Sequence, residues 1–157
     1  PLGVSDGRIP DSSLTAYSVY NHEWDVYGAH RARLHQTSWP PGYRAENSPT
    51  KNKYKSWLKI DLGEEWVITG IATQGYGDSS VEEWVTMFEL MYATEADFAS
   101  TRAIGGKNRT FVGNSDSNTV KFNPIPLPAI ASSVTLQPQA WHGNIGLRVE
   151  LYGCKPG

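Results

Sequence analysis

The sequence predicts an all-β domain, an antiparallel sandwich, on three observations. Apolar residues alternate with polar ones in several separate stretches. The 15 Gly and 10 Pro are spread along all 157 residues, a density of turn formers that favours short strands over long helices. The segments between the alternating stretches are long, irregular and aromatic, as functional loops in compact β-domains are. The length suits one domain with a hydrophobic core. No internal repeat, low-complexity tract or linker divides the chain, so residues 1–157 read as a single domain.

The elements follow in order. In SVYNHEWDVYGAHRARL, Ser18 to Leu34, Tyr20, Trp24, Val26 and Tyr27 sit among His, Asp, Glu and Gly with neither a strand nor a helix period. Its aromatics are therefore not all expected to face a core. His35 to Lys55 is a second loop, rich in Pro, Gly, Asn and Lys. In KSWLKIDLGEEWVITGIATQG, Leu58, Ile60 and Leu62 alternate with Trp57, Lys59 and Asp61. Gly63-Glu64-Glu65 breaks the run, and Val67, Thr69, Ile71 and Thr73 resume it, which reads as two strands with a short connection. Gly75 to Trp84 is a third loop. WVTMFELMYAT, with Phe88, Leu90 and Tyr92 on one face, is a strand, and EADFAS offers one helical turn. NTVKF and SSVTLQP are two more strands, the second bounded by Pro128 and Pro138. In the closing NIGLRVELYG, Ile145, Leu147, Val149 and Leu151 alternate with Gly146, Arg148, Glu150 and Tyr152, the pattern of a strand with one buried and one solvated face.

No run of apolar residues is long enough to span a membrane as a helix. Enzyme signatures are missing: no His-Glu-x-x-His, Cys-x-x-Cys, Gly-x-Ser-x-Gly, P-loop or dinucleotide fingerprint occurs. His22 with Asp25 is the one acid–base pair on offer, and packed or solvent-facing histidines are the simpler reading of His22 and His142. The chain is read as non-catalytic. Asp6, Asp11 and Asp25 in early loops offer oxygen ligands for one structural Ca²⁺, without EF-hand spacing to support it; no other cofactor is expected. The formal net charge of −2 gives no global pull toward nucleic acid. Locally, Arg31, Arg33, Arg44, Lys51, Lys53 and Lys55 face one acid, Glu46, while Asp78 to Asp97 is acidic throughout. The basic side suits an acidic lipid, a sulfated glycan or an acidic protein. With Trp39, Tyr43 and Tyr54 interleaved it also suits single-stranded nucleic acid, which an extracellular setting disfavours. Asn108-Arg109-Thr110 is an N-glycosylation sequon, meaningful in a secreted chain. Cys154 is the one cysteine.

PLGVSDGRIPDSSLTAYS, ARL, WLKIDLG, TGIATQG, EWVTMFELMY, GNSD and IGLRVELYGC occur in this order. Together they resemble the discoidin domain, also called the coagulation factor five/eight type C domain, from Pro1 to Cys154. The resemblance implies an eight-stranded antiparallel β-sandwich, or distorted jelly-roll barrel, with three loops (spikes) projecting from one end to bind the ligand. The three loops above fall where the spikes fall, with Trp24 near the tip of the first and Tyr20 and Tyr27 toward its base. The implied ligand surface comprises Trp24, Tyr27, Trp39, Tyr43, Arg44, Tyr76, Asp78 and Ser79, with Val81 as the apolar candidate of the third spike. Family members usually close the domain with a disulfide, so the resemblance either pairs Cys154 with a cysteine upstream of Pro1, which would imply an oxidising compartment, or makes this chain a member without the bond.

The resemblance further implies an extracellular adhesion module, secreted or part of a cell-surface ectodomain, that binds a protein or a glycan. The alternative is a peripheral membrane module for phosphatidylserine, with Trp24 and Val81 inserting and Arg31, Arg44 and lysines holding headgroups. Asp78, Glu82 and Glu83 in the third spike weigh against the lipid. One protein-binding arrangement in the family needs an acid five positions before Trp57, where Asn52 stands.

Overall fold

A computed structural model describes residues 1–46, 56–97 and 101–157. Among them eight strands form: β1 (Leu14–Ala16), β2 (Tyr43–Arg44), β3 (Leu58–Gln74), β4 (Trp84–Ala93), β5 (Arg102–Ala103), β6 (Phe111–Val112), β7 (Lys121–His142) and β8 (Gly146–Cys154). Their order is β2-β8-β3-β7-β4-β5, with β1 on β3 and β6 on β4. The strand pairs are antiparallel, and one isolated parallel bridge joins Arg33 to Val149. The all-β antiparallel sandwich read from the sequence is the architecture observed.

Alternation predicted the core well. Leu58, Ile60, Phe88, Leu90, Leu147, Val149 and Leu151 are all essentially inaccessible and join one cluster. Each such side chain contributes about 1.5–3 kcal/mol relative to exposure. Two strands are longer than the text suggested. Gly63 does not end β3; residues between Asp61 and Trp66 bulge out of the β3–β7 register. Gly63 sits at φ 76° and donates its N–H to Asp61 Oδ1 at 2.9 Å, a local turn that glycine makes without strain. Of NTVKF only Lys121 and Phe122 are in a strand, and they share it with SSVTLQP: both belong to β7, which passes Pro128 and Pro138. Pro124, Pro126 and Pro128 have no N–H to give a ladder, and the register skips from Pro124 to Ala129 across them. The helical turn expected at 95–100 lies partly outside the described residues. Short helices appear instead in the first loop.

The sequence reading of β8 needs correction. Its polar alternates were expected to face water, yet Arg148 is 1% and Glu150 0% exposed. Alternation assigned the faces correctly, but both faces are covered. The N-terminal segment lies along β8, with Leu2 N–H donating to Leu151 O at 2.8 Å. Val4 N–H, Ser5 N–H and Ser5 Oγ–H all donate to the Glu150 carboxylate, at 3.0, 2.8 and 2.7 Å. Arg148 is covered by loops. It donates to Gly75 O, Gln36 O, Ser117 O and Asn118 Oδ1 at 2.7–2.8 Å. Burial pulls its pKa down to about 10, which leaves it cationic at neutral pH.

Two peripheral expectations can be located. Asn108 lies on an exposed turn between β5 and β6. Cys154 ends β8 as an exposed, unpaired thiol.

Removing the Arg148 donors strands buried carbonyls in two or more loops. Arg148→Met should lower the stability by about 3 kcal/mol in urea unfolding, while Lys107→Met, on the exposed turn, should leave the midpoint unchanged.

Candidate functional site

The strand register gathers three loops at one end. Gln74, the last residue of β3, pairs with Arg148 near the start of β8. Arg44 of β2 pairs with Gly146, and Trp84 at the start of β4 pairs with His142. The loop 75–83 thus stands beside β2, and its amide at Gly77 donates to Pro41 O of the second loop at 2.8 Å.

The first loop packs onto them by three single-turn helical pieces: a 3₁₀ turn at Tyr20–His22, a helix α1 at Trp24–Tyr27 and a 3₁₀ turn at Ala29–Arg31. Asn21 and His22 take φ values of 55° and 57°, so the chain changes direction every few residues. No period of either kind survives such a path. Trp24 is 49% exposed, while Tyr20 and Tyr27 are half-buried at the base and meet edge to face at 5.4 Å. Tyr27 also touches Trp39 of the second loop at 6.0 Å and Tyr76 of the third at 6.4 Å. Trp39 is 68% exposed. The turn that carries it is held from below, since Arg31 donates Nε–H to Pro40 O at 2.9 Å and Nη2–H to Ser38 O at 2.8 Å.

Three residues expected on the surface are not there. Tyr43 is 1% exposed, packs in the core and donates its hydroxyl to Ser18 O at 2.7 Å. Tyr76 is equally buried beneath the loops, and burial pushes its hydroxyl up to about 12 against the pull of Arg44. Arg44 is 8% exposed and engaged bidentately by Glu83, at 2.8 and 2.7 Å. Its guanidinium lies 3.8 Å over the Tyr20 ring and about 5 Å from those of Tyr76 and Tyr27. It fills the space between the loops instead of presenting a charge.

The third loop supplies polar groups. Ser79 is exposed, and Val81 is half-buried rather than projecting. Asp78 Oδ1 accepts from Ser80 Oγ–H at 2.6 Å and Ser80 N–H at 3.0 Å, bonds that hold its carboxyl below the usual carboxylate range.

The local excess of base is largely structural. Arg31 and Arg44 are engaged as above, and Arg33 donates to Val4 O, Ile9 O and Asp11. Lys51, Asn52, Lys53, Tyr54 and Lys55 lie outside the described residues. The calcium expectation finds no cluster: Asp6 is paired with Arg8 and Asp11 with Arg33, and among the described residues no three His, Cys, Asp or Glu converge as metal ligands. His22 and Asp25 are both exposed. The sequence reading did not single out Glu83 as a partner of Arg44, nor the parallel stack of Trp84 on His142 at 4.3 Å; nothing in one-dimensional spacing signals either.

With the geometry described, known proteins can be compared. The sequence model of the F5/8 type C domain matches residues 13–151. The chain is similar to lactadherin of Sus scrofa, 35% identical over 166 residues, covering 98% of this chain and 38% of that protein. It is similar in structure to discoidin II of Dictyostelium discoideum, with a TM-score of 0.77 and 20% identity over 92% of this chain and 56% of the other. A module from Clostridium perfringens, solved in complex with GalNAc-β-1,3-galactose, has a TM-score of 0.66 and 16% identity over 94% of this chain and 99% of its own. At these identities the structural likenesses speak to fold alone.

A carboxyl depressed in the fold adds stability above its unfolded pKa and loses it as pH falls through the folded value. Ser80→Ala removes one of the bonds that depress Asp78. The Asp78 carboxyl should then titrate closer to its ordinary value in NMR-followed pH titration, with the acid-side loss of its stabilisation starting at higher pH.

Proposed function

The chain belongs to the F5/8 type C domain family, and we propose that it is a non-catalytic extracellular adhesion module that recognises a glycan or protein ligand at its three-loop end. The observation that carries the reading is Trp39, 68% exposed yet anchored, with Tyr27 at its edge and Arg31 clamping its turn. A large flat ring held in water at fixed orientation suits stacking on a sugar face or a partner's apolar side chain. Ser79 and Glu82, both exposed on the third loop, supply hydrogen-bond partners for it. The Clostridium perfringens module bound to GalNAc-β-1,3-galactose makes a saccharide a reasonable first ligand class to test. The exposed sequon at Asn108 fits an extracellular setting. No helix among the described residues is long and apolar enough to cross a membrane.

A second reading, attachment to phosphatidylserine membranes, is favoured by one observation: Trp24 and Trp39 are both exposed on the loops, and indoles suit the bilayer interface. It ranks lower because each base near an acidic leaflet is worth about 1 kcal/mol, and Arg31, Arg33 and Arg44 are already engaged within the fold. Val81, half-buried, offers little to insert.

Trp39→Ala should weaken ligand binding at least tenfold, about 1.4 kcal/mol, and shift the melting temperature by less than about 2 °C. The measurement is binding to a mixed glycan and matrix-protein array, beside co-sedimentation with phosphatidylcholine vesicles with and without phosphatidylserine. Salt-sensitive binding to the acidic vesicles alone would replace the adhesion reading with the membrane one.

A further inference from the structure

We propose that the outer face of the sheet formed by β3, β7 and β4 seats a small organic acid, one carboxylate on an aromatic or branched apolar body. A pocket of about 340 Å³ opens there, lined by Trp57, Lys59, Met91, Thr101, Thr135 and Gln137. That volume lies at the lower end of the range of small-ligand sites, roughly 300–1,000 Å³. Met91 is seven residues from Trp84 and Thr135 seven from His142, so the pocket lies roughly 20 Å down the strands from the three-loop end. It neither includes Trp39 nor depends on the adhesion reading.

The strand register builds it. Thr135 of β7 pairs with Lys59 on one side and Met91 on the other, and Gln137 pairs with Glu89. Leu58, Leu136 and Leu90 form the rung between and lie in the core, so period two turns Lys59, Thr135 and Met91 to the outer face. Lys59 and Met91 stand two strand spacings apart, roughly 10 Å, with only the short Thr135 side chain between them. Trp57 is half-buried beside them. Tyr17 meets its ring edge on at 6.3 Å and donates its N–H to Trp57 O at 3.0 Å. An indole, a thioether and the methylene stem of a lysine supply the apolar walls.

Charge selects the ligand. Among the described residues the side chains of Lys59, Thr135 and Gln137 make no hydrogen bond or ion pair, so an ammonium, a hydroxyl and an amide are free to meet a carboxylate. Glu89, across from Gln137, does not line the pocket and forms no ion pair with Lys59. Asp61, two residues along β3 from Lys59, is exposed and accepts from Gly63 N–H. Arg102 is paired with Asp97 at 3.5 Å. One free ammonium with two carboxylates nearby matches a monoanion and repels a polyanion such as a phosphate ester or a sulfated chain. A ligand without charge would forgo the pairing with Lys59.

The test uses the whole chain and follows backbone amide shifts by NMR. 3-Phenylpropanoate is the probe, with 3-phenylpropanamide as its uncharged counterpart, acetate as the anion without an apolar body and citrate as the polyanion. Phenylpropanoate should move the amides of Lys59, Met91 and Thr135 saturably, with a Kd of about 1 mM or tighter, and each of the others should bind about fivefold more weakly or worse. Lys59→Met, which keeps an apolar stem, should weaken phenylpropanoate by about fivefold or more at an unchanged melting temperature. Lys107→Met, on the exposed turn after β5, should leave its binding unchanged, and Glu89→Gln should strengthen it. Shifts confined to the three-loop end, or no shifts at all, would overturn the pocket and leave the adhesion reading untouched. Equal binding of the amide, an unaffected Lys59→Met, or a preference for citrate would overturn the assignment to a monocarboxylate.

Discussion

One buried cation fixes the relation between the loops and the sheet. Arg148 rises from β8 and reaches carbonyl oxygens at Gly75, Gln36 and Ser117, with Asn118 Oδ1 as the fourth acceptor. These belong to the entry of the third loop, the second loop and the segment between β6 and β7. No carboxylate takes part. Five N–H donors in a rigid fork suit several separate acceptors, and the bonds to Gly75 O and Ser117 O are buried, where losing the donor is costly. The arrangement makes loop placement depend on a strand residue, so the three-loop end inherits the rigidity of β8.

A second buried cation acts differently. Arg44 is matched by Glu83 and stacked on tyrosine rings, so its charge is cancelled where it lies. A buried pair of this kind contributes little net stability against a well-packed apolar alternative. Its effect here is on the surface. The central space among the loops is occupied by protein, and the exposed rings of Trp24 and Trp39 stand outside it.

Much of the fold was legible in the sequence because alternation reports which residues share a face. Leu58, Ile60, Leu147 and Val149 were assigned to the core on that ground alone, and they are there. Alternation does not report what lies against a face. Arg148 and Glu150 were therefore placed in water, and the segments that cover them come from more than 30 and more than 140 positions away. At the candidate site, exposure was legible for some residues and not for others. Trp24 and Trp39 stand in water as expected, since an aperiodic loop has no face to bury. Tyr43 and Arg44 misled because their partners, Ser18 and Glu83, are distant in the chain, and only those partners make burial of a hydroxyl and a guanidinium tolerable.

The contrast between the buried and the exposed aromatics has a physical consequence for binding. Tyr43 and Tyr76 support the loops from below, while Trp24 and Trp39 leave much of their area in water. Exposed indole area is a standing free-energy disadvantage, about 25 cal/mol per Å² that burial would remove. A ligand that covers these rings gains that term. It also meets little opposing entropy, because a tryptophan has only two side-chain torsions and the turn beneath Trp39 is already tied to Arg31. Rings held this way bind through pre-arranged shape more than through charge. That agrees with the electrostatics of the same end, where the arginines are committed inside the fold and the third loop is acidic.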